Sequence, residues 1–291
     1  MGQQVLNGIF VGSIYALFAV GYTLVFGVLD ILNLAHQAVF MLSAFFALVL
    51  VEHGLSIWLA LPLGIVFGGL LGIGLERIAF RPLRGRAGSN LSGLISSIAM
   101  ATVFEAIAAQ IFGPDISRFP QGTFPDRMIS LGSASASLLQ VCIVGLSVLL
   151  MAVLTFLLAK TRLGRSIRAV AENPRAARVL GIDVDKVIAL SFFLSSALAG
   201  AAGVLFGLAF NSISPDVGRS VELKGLAVII LGGMGSVPGA VLAGFAIGLV
   251  EVFTVAYAGS TYRDAVSFAV LFVVLVARPR GLFGQVAVRE A

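Results

Sequence analysis

Few side chains in this sequence are of types that carry out chemistry, and they do not cluster. The two histidines, His36 and His53, lack the regularly spaced partners that a metal site needs. The single cysteine, Cys142, lies in an apolar stretch, where it can form no internal disulfide and is expected to be a packing residue. No carboxylates are paired for acid–base catalysis. We therefore predict no enzyme activity, no metal and no cofactor in this chain.

The glycine-rich stretch 232–239 resembles a phosphate-binding loop in composition only. A P-loop requires Lys and then Ser or Thr after its last glycine, and here Ala240 and Val241 follow. A dinucleotide fingerprint fails as well, because Pro238 stands where the third glycine is needed. The sequence therefore carries no motif for binding ATP.

Two acidic residues, Glu105 and Glu251, lie within apolar stretches. A charge at the centre of a membrane costs about 2.5 to 3.5 kcal/mol on insertion scales, so each is expected to be neutral, paired or facing water. Glu105 is a candidate for the proton or sodium coupling of a secondary carrier, although a hydrogen-bonded structural role explains it too. Glu251 lies nearer the outer end of its segment, and an interfacial position is the simpler explanation.

Composition determines the class of protein to which these residues belong. Hydrophobic residues make up 59% of the 291 positions and charged residues only 11%, which is too apolar for a soluble globule. Because a bilayer needs roughly 20 apolar residues per helix, we predict an all-α, polytopic transmembrane helical bundle, with a single transmembrane domain over residues 1–291. We count about eight full spans and one short half-helix. The spans lie near residues 5–27, 35–51, 57–75, 91–112, 138–159, 187–210, 240–257 and 265–277.

Basic residues outnumber acidic ones, 19 to 14. Most of them lie in three segments, 77–86, 160–186 and 278–289. This is the positive-inside pattern, which places all three segments on the cytoplasmic side and the N-terminus outside. The excess of basic residues therefore indicates which loops are cytoplasmic, not a nucleic-acid partner. We predict that the chain contacts membrane lipid and binds no nucleic acid.

The stretch between residues 186 and 278 must cross the membrane an even number of times. Residues 225–231 are too few to span as a regular helix, and the glycine-rich stretch 232–239 separates them from the longer segment that follows. We expect a half-helix that enters from outside, a break at membrane depth and a helix that leads back out. Irregular backbone at such depth is tolerated only inside protein or beside a water-filled cavity, and broken helices frequently line transport pathways.

Glycines recur at helix-contact spacing in several spans. Such spacing lets helix backbones approach closely in lipid. We expect these glycines to pack helices within one bundle, with a homodimer or heterodimer seam as the alternative. The sets are Gly8 and Gly12; Gly64, Gly68 and Gly72; Gly203 and Gly207; and Gly244 and Gly248.

The basic segment 160–186 predicts two short helices. Leu163, Ile167 and Val170 recur at helical spacing, and Asn173 can cap a second helix that begins at Pro174 and is closed by Gly181. A simple connection needs far fewer residues. We therefore interpret 160–186 as a rigid cytoplasmic docking element, and a helix that rests on anionic headgroups is the alternative.

Four motifs in this chain resemble a known family. Arg175-Ala176-Ala177, three residues and then Gly181 resembles the Glu-Ala-Ala-x3-Gly cytoplasmic loop of ABC importer permeases, with Arg175 in place of the Glu. Three further motifs are similar to signatures of the branched-chain amino acid ABC permeases, and the resemblance covers essentially the whole chain. They are GYTLVFG at 21–27 with NLAH at 33–36, ERIAFRPLR at 76–84, and LGGMGSVPGA at 231–240.

This resemblance implies an inner-membrane permease that forms half of a translocation path. It implies as partners a related second permease, two cytoplasmic ATPase subunits that bind the ATP, and a periplasmic substrate-binding protein. The residues that it assigns to ATPase coupling are Arg165, Arg168, Asn173, Pro174, Arg175, Ala176, Ala177 and Gly181. The residues that it assigns to the lining of the path or gate are Asn33, His36, Gln37, Gly232, Gly233 and Gly235.

One departure from the family pattern bears on the cargo. The family usually has Asn-Phe-Ala-His-Gly where this chain has Leu34 and Gln37. A long amide in place of the glycine can narrow or repolarise the path, so the cargo stays open between branched-chain amino acids, other amino acids, urea and short amides. An ion-coupled carrier that uses Glu105 and a membrane-embedded enzyme remain the alternative functions.

Overall fold

The computed structural model describes residues 1–84, 89–125, 127–131, 134–279 and 281–284. The ends of two predicted basic segments, at Arg86 and Arg289, lie outside these residues. The helices are α1 (Gly2–Leu29), α2 (His36–Glu52), α3 (Ile57–Leu75), α4 (Ser89–Phe112), α5 (Leu138–Lys160), α6 (Arg162–Glu172), α7 (Pro174–Val179), α8 (Val184–Phe210), α9 (Val217–Gly232), α10 (Val237–Tyr257) and α11 (Arg263–Ala277). A π-helical turn (Glu76–Phe80) and a 3₁₀ turn (Arg81–Leu83) extend α3, and a 3₁₀ turn (Ser260–Tyr262) precedes α11.

The predicted transmembrane helical bundle is confirmed. Within the described residues, seven helices are long and apolar enough to cross a membrane, namely α1, α3, α4, α5, α8, α10 and α11, the first and last turns of α3 and α11 included. The apolar helix α2 is shorter, with 17 residues. These eight helices coincide with the eight predicted spans.

Helices α1 and α8 form the centre of the bundle. Of the most apolar part of α1, 89% is buried, whereas only 6% of α11 is buried. Helices α4 and α5 are also mostly exposed, so their apolar side chains face lipid. Three of the predicted path residues, Asn33, His36 and Gln37, come directly after α1. They therefore lie next to the best-packed part of the molecule.

The predicted close helix packing through glycine is confirmed within the chain. A Cβ on Gly12 of α1 would lie 2.8 Å from the Phe245 Cα of α10, and a Cβ on Gly68 of α3 would lie 2.8 Å from the Ser196 carbonyl oxygen of α8. Gly203 of α8 packs in the same way against the backbone of Phe40. These glycines therefore serve contacts inside one bundle.

Two local features differ from the predictions. Strands β1 (Met128–Leu131) and β2 (Ala134–Ser137) form an antiparallel hairpin between α4 and α5, where the sequence analysis predicts only loop. The half-helix predicted at 225–231 is the second part of α9, which begins at Val217 and has 16 residues. Two charged residues in the first half of α9, Arg219 and Lys224, pair with Glu105 of α4 and Glu251 of α10, so the helix begins before the apolar stretch.

Candidate coupling segment and translocation path

The segment 160–186 forms the two predicted helices, α6 and α7. Thr161 caps α6, because its side-chain oxygen accepts a hydrogen bond from the Gly164 amide at 3.2 Å. Ile167 and Val170 are buried on one face of α6. Gly164 packs so closely on α5 that a Cβ there would clash with backbone carbonyl oxygens. One face of α6 is therefore seated firmly on the bundle.

The two predicted coupling arginines of α6 differ in their surroundings. Arg168 donates a hydrogen bond to the carbonyl oxygen of Leu158 near the end of α5, so it fastens α6 to the bundle. Arg165 is exposed and forms no ion pair with the described part of the chain. Of the two, Arg165 is the one available to a partner.

Asn173 caps α7 as predicted. Its side-chain oxygen accepts hydrogen bonds from the amides of Arg175 and Ala176, each at 3.0 Å. Pro174 occupies the first turn, where a missing amide proton costs nothing. The side chains of Arg175 and Ala176 are exposed. The start of this six-residue helix is therefore determined by residues adjacent in the sequence.

The far end of α7 is an exposed apolar tip formed by Val179 and Leu180. Ala177 is 2% exposed and anchors the helix, whereas Val179 and Leu180 are 88% and 78% exposed. Gly181 then reverses the chain with a φ of +82°, in the left-handed region that glycine adopts most easily. Two neighbouring apolar side chains outside the spans are more exposed than any role in the bundle requires.

The base of α7 borders a cavity of about 600 Å³. Arg175 and Arg178 line it from α7. On the opposite side the cavity is lined by Arg84 and Asp185, which form an ion pair with each other at 3.0 Å. At the adjoining start of α8, hydrogen bonds from the side chain and amide of Lys186 lower the pKa of the Asp183 carboxyl. This surface is basic on its outer side and fixed by ion pairs underneath.

Asn33, His36 and Gln37 lie where the chain turns from α1 into α2. The His36 ring packs edge-on against the rings of Phe18 and Tyr22, with centroid distances of 4.8 and 5.3 Å. Tyr22 lies about 10 Å before the end of α1, at 1.5 Å per residue. The irregular stretch between the helices therefore runs back into the bundle, and α2 begins inside it.

Several polar atoms in this turn are buried without a partner among the described residues. The side chains of Asn33 and His36 are each 1% exposed. Asn33 Nδ2 and His36 Nδ1 are unpaired, although Asn33 Oδ1 accepts from the Ala35 amide at 3.2 Å and His36 Nε2 lies 3.3 Å from the Phe18 carbonyl oxygen. Dry burial of such atoms is costly, so both are expected to bind water or another partner outside the described residues.

Gln37 connects the turn to Glu105 on α4. Its side-chain amide donates to Glu105 Oε1 at 3.1 Å, and Arg219 of α9 pairs with Glu105 Oε2 at 2.6 Å. Glu105 therefore has both an ion pair and a hydrogen bond, which is the structural role that the sequence analysis allows. The acidic group that the sequence analysis names for an ion-coupled carrier is therefore already paired.

Gly232, Gly233 and Gly235 form the turn between α9 and α10. Gly232 packs against the backbone of Gly239, so a Cβ at either position would clash. Gly233 and Gly235 have φ angles of +98° and +86°. The break is therefore a tight connection that depends on glycine at each of these positions.

The predicted depth of this break is wrong. Gly235 lies beside Gly27, near the end of α1, and both line a cavity of about 300 Å³ together with Ile167 and Arg168 of α6. The break is thus at the end of the bundle that carries the coupling segment. The length of α9 explains the difference, because 16 residues carry the chain about 24 Å before the break.

A second charged cluster, which sequence reasoning missed, joins four helices. Lys224 Nζ of α9 lies 3.0 Å from Glu251 Oε2 of α10 and 3.1 Å from the Tyr15 hydroxyl of α1. Arg263 of α11 also pairs with Glu251, and Tyr15 donates to Glu251 Oε1 at 3.0 Å. Asp264 lies 3.2 Å from Lys224. The group is called the Glu251 cluster below.

Glu251 lies near the outer end of its segment, as predicted, beside Arg263 in the first turn of α11. Its side chain is 2% exposed and is paired with cations from α9 and α11, which is one of the states that the sequence analysis expects for it. The sequence did contain a signal for these partners. Lys224 lies directly before the predicted half-helix 225–231, and the sequence analysis assigned it no partner. Pairing Glu251 with the cations Lys224 and Arg263 of the neighbouring segments would have predicted the cluster.

Three comparisons relate the chain to known proteins. The family model described as branched-chain amino acid transport system / permease component matches residues 4–275. The chain is 35% identical to the high-affinity branched-chain amino acid transport system permease protein BraD of Pseudomonas aeruginosa, over 99% of this chain and 97% of BraD. It is also 35% identical to LivH of Escherichia coli, a permease protein of the same description, over 99% and 97% of the two chains. The solved structure of PsaBC from Streptococcus pneumoniae shares the fold, with a TM-score of 0.51 at 13% identity over 96% of this chain and 92% of that one.

Proposed function

We propose that this chain, which belongs to the branched-chain amino acid transport system permease family, is a membrane-spanning permease subunit of an ABC importer. It works beside a related second permease, with two cytoplasmic ATPase subunits and a periplasmic substrate-binding protein, in the bacterial inner membrane. ATP is bound and hydrolysed by the ATPase subunits, and this chain itself catalyses no reaction.

The cargo in this proposal is a branched-chain amino acid or a related small zwitterion. BraD and LivH are both named as parts of high-affinity branched-chain amino acid transport systems. The family membership supports an importer driven by ATPases, and the pairing of Glu105 with Arg219 gives no support to the ion-coupled carrier.

The observation that carries the docking proposal is the exposed apolar tip of α7. Val179 and Leu180 are exposed beside Arg175 and Arg178, while the base of α7 is anchored by Ala177. An apolar centre with a basic rim is the usual composition of a protein-binding patch. We propose that this tip enters a cleft of an ATPase subunit.

The proposed coupling route runs from α7 through α6 to the glycine turn. Arg168 and the close contact at Gly164 fix α6 to α5, and the same part of α6 shares a cavity with Gly235 and Pro238. Movement of a rigid docking helix would therefore reach the connection between α9 and α10. Rigid elements of this kind transmit motion between subunits.

Charge substitution at the tip tests the docking proposal. Val179→Asp with Leu180→Asp should weaken co-purification of the ATPase subunits by about 30-fold or more, since buried anchors at interfaces contribute 2 kcal/mol or more each. Met128→Asp is the matched control, because Met128 is 75% exposed in β1 at the opposite end of the bundle. ATPase retention by the tip variant at the wild-type level would exclude this docking surface and favour a helix that rests on headgroups.

A further inference from the structure

A group of polar side chains from α2, α4 and α9 lies inside the bundle beside the predicted path. Arg219 and Glu105 form a two-point contact, with Nη2 to Oε2 at 2.6 Å and Nε to Oε1 at 3.3 Å. Gln37 donates to the same carboxylate at 3.1 Å. Glu105 lies about 10 Å before the end of α4 and Gln37 is in the first turn of α2, so the group is within the spans.

Glu222 adds a second carboxylate to this group. It follows Arg219 by three residues on α9, so both project from neighbouring positions of one helix face. Glu222 interacts electrostatically with both Glu105 and Arg219. The guanidinium near Glu222 is thus already paired with Glu105.

Two buried polar atoms of this group, one on Glu222 and one on Tyr22, lack partners among the described residues. Glu222 is 8% exposed and Tyr22 is 1% exposed. Glu222 Oε1 and the Tyr22 hydroxyl have no hydrogen-bond partner in the described part of the chain, and the two groups interact electrostatically. A carboxylate buried in a membrane protein is expected to be paired, so the site is complete only with a cation or a proton.

The side chain of Arg219 is much more exposed than the two carboxylates. Its side chain is 65% exposed, whereas that of Glu105 is 13% exposed. Leu223 continues the exposed side of α9 and is 56% exposed. The site therefore offers an accessible guanidinium, an unpaired carboxylate and an apolar surface within a turn of one helix.

We propose that Arg219 and Glu222, supported by Glu105, Gln37 and Tyr22, form a transit site for the head group of a free amino acid. The Nη1–Nη2 edge of the Arg219 guanidinium takes the α-carboxylate, because its Nε and Nη2 already bind Glu105 and a guanidinium has further N–H donors. The Glu222 carboxylate takes the α-ammonium, which gives Glu222 Oε1 the partner that it lacks in the described part of the chain, and Leu223 contacts the apolar side chain of the cargo. This assignment rests on the proposed function and adds the place where the cargo is held during passage.

The test uses the complete importer in proteoliposomes and a single thiol at the site. Cys142 is the only cysteine of this chain, so Cys142→Ala with Leu223→Cys leaves the chain one thiol, which lies beside Arg219 and Glu222. A water-soluble methanethiosulfonate labels it. Leucine at about ten times its dissociation constant should slow labelling about tenfold, by mass action. The 2-oxo acid analogue of leucine lacks the ammonium and should protect little.

Glu222→Gln in this background should abolish the protection by leucine, and Asp115→Asn, a change in the exposed loop after α4, should leave it intact. Uptake of radiolabelled leucine is measured in the same vesicles. Three results would each overturn the transit site while the importer assignment stands. They are leucine uptake without protection of the thiol, equal protection by leucine and the 2-oxo acid, and unchanged protection in the Glu222→Gln variant. Absence of leucine uptake in the unsubstituted importer would instead count against the proposed cargo.

Discussion

Single residues determine the shape of the docking helix α7. Asn173 satisfies the first amides, and Gly181 takes a left-handed conformation directly after the exposed tip. Both features depend on neighbours in the sequence, so the sequence predicted them correctly. The orientation of Val179 and Leu180 toward a partner follows from these two residues.

Alanine at Gly181 should weaken docking without affecting the bundle. A left-handed non-glycine residue costs about 1 to 2 kcal/mol, so Gly181→Ala should lower the affinity for the ATPase subunits about tenfold by displacing the tip. Gly145→Ala is the matched control, because Gly145 is helical in α5 and a Cβ there meets nothing within 4 Å. Affinity is measured by titration of the purified ATPase onto the permease complex. Equal affinities for both variants would show that the geometry after α7 is unimportant.

Residue-level prediction failed where the partner is distant in the sequence. Glu251 was predicted to lie at the interface because it is nearer the outer end of its segment, and its apolar neighbours along α10 give no information about its partners. Its partners, Lys224 and Arg263, come from α9 and α11, and only the packing of these helices brings them together. A charge inside an apolar stretch indicates that a partner exists but not which residue it is.

At the scale of elements, the Glu251 cluster holds α11 to the rest of the bundle. Helix α11 buries little apolar surface, but Arg263 and Asp264 in its first turn contact Glu251 and Lys224. Tyr15 adds a link to α1. Because lipid competes equally well for apolar side chains, such polar links carry more of the association between helices than they do in water.

A double-mutant cycle tests this link. Glu251→Leu leaves two cations with no buried carboxylate between them and should destabilise the protein by about 3 to 5 kcal/mol. Lys224→Leu keeps the pair of Glu251 with Arg263 and should cost much less. The double variant should unfold at a higher temperature than Glu251→Leu alone, because it removes one stranded cation. Apparent midpoints in detergent give the order, and strictly additive losses would show that the two residues act independently.

Helix α9 shows why element boundaries were harder to predict than the elements themselves. The sequence analysis assigned only the apolar residues 225–231 to a half-helix. In the structure Arg219 and Lys224 pair with Glu105 and Glu251 of other helices, and α9 continues without interruption. The same misjudgement placed the glycine turn at membrane depth instead of at the end that carries α6.

For the whole molecule, hydropathy and the positive-inside pattern were sufficient to predict the helical bundle. Each of the eight predicted apolar stretches is a helix in the structure, because length and apolar composition alone are enough to identify a membrane helix. Which helices lie at the centre was not predictable, because α5 is as apolar as α1 but is mostly exposed. The glycine contacts of α1 with α10 and of α3 with α8 decide that arrangement.

The position of the glycine turn brings together the two functional regions that the sequence analysis kept apart. The turn between α9 and α10 lies beside α6, and α9 carries Arg219 and Glu222 at its other end. Displacement of α6 would therefore act on the helix that lines the proposed transit site. Helix α9 is in this account the rigid connection between ATPase docking and cargo.

A reversible cross-link between α6 and the glycine turn tests this connection in the assembled importer. Ala171 and Pro238 line the same cavity, so Ala171→Cys with Pro238→Cys in a Cys142→Ala background can be joined by a short bifunctional methanethiosulfonate. Uptake should fall in proportion to the cross-linked fraction while the ATPase subunits stay bound, and reductant should restore it. Each single-cysteine variant, treated identically, controls for modification alone. Normal uptake by fully cross-linked protein would show that transport requires no relative movement of α6 and the turn, which contradicts a coupling step at this contact.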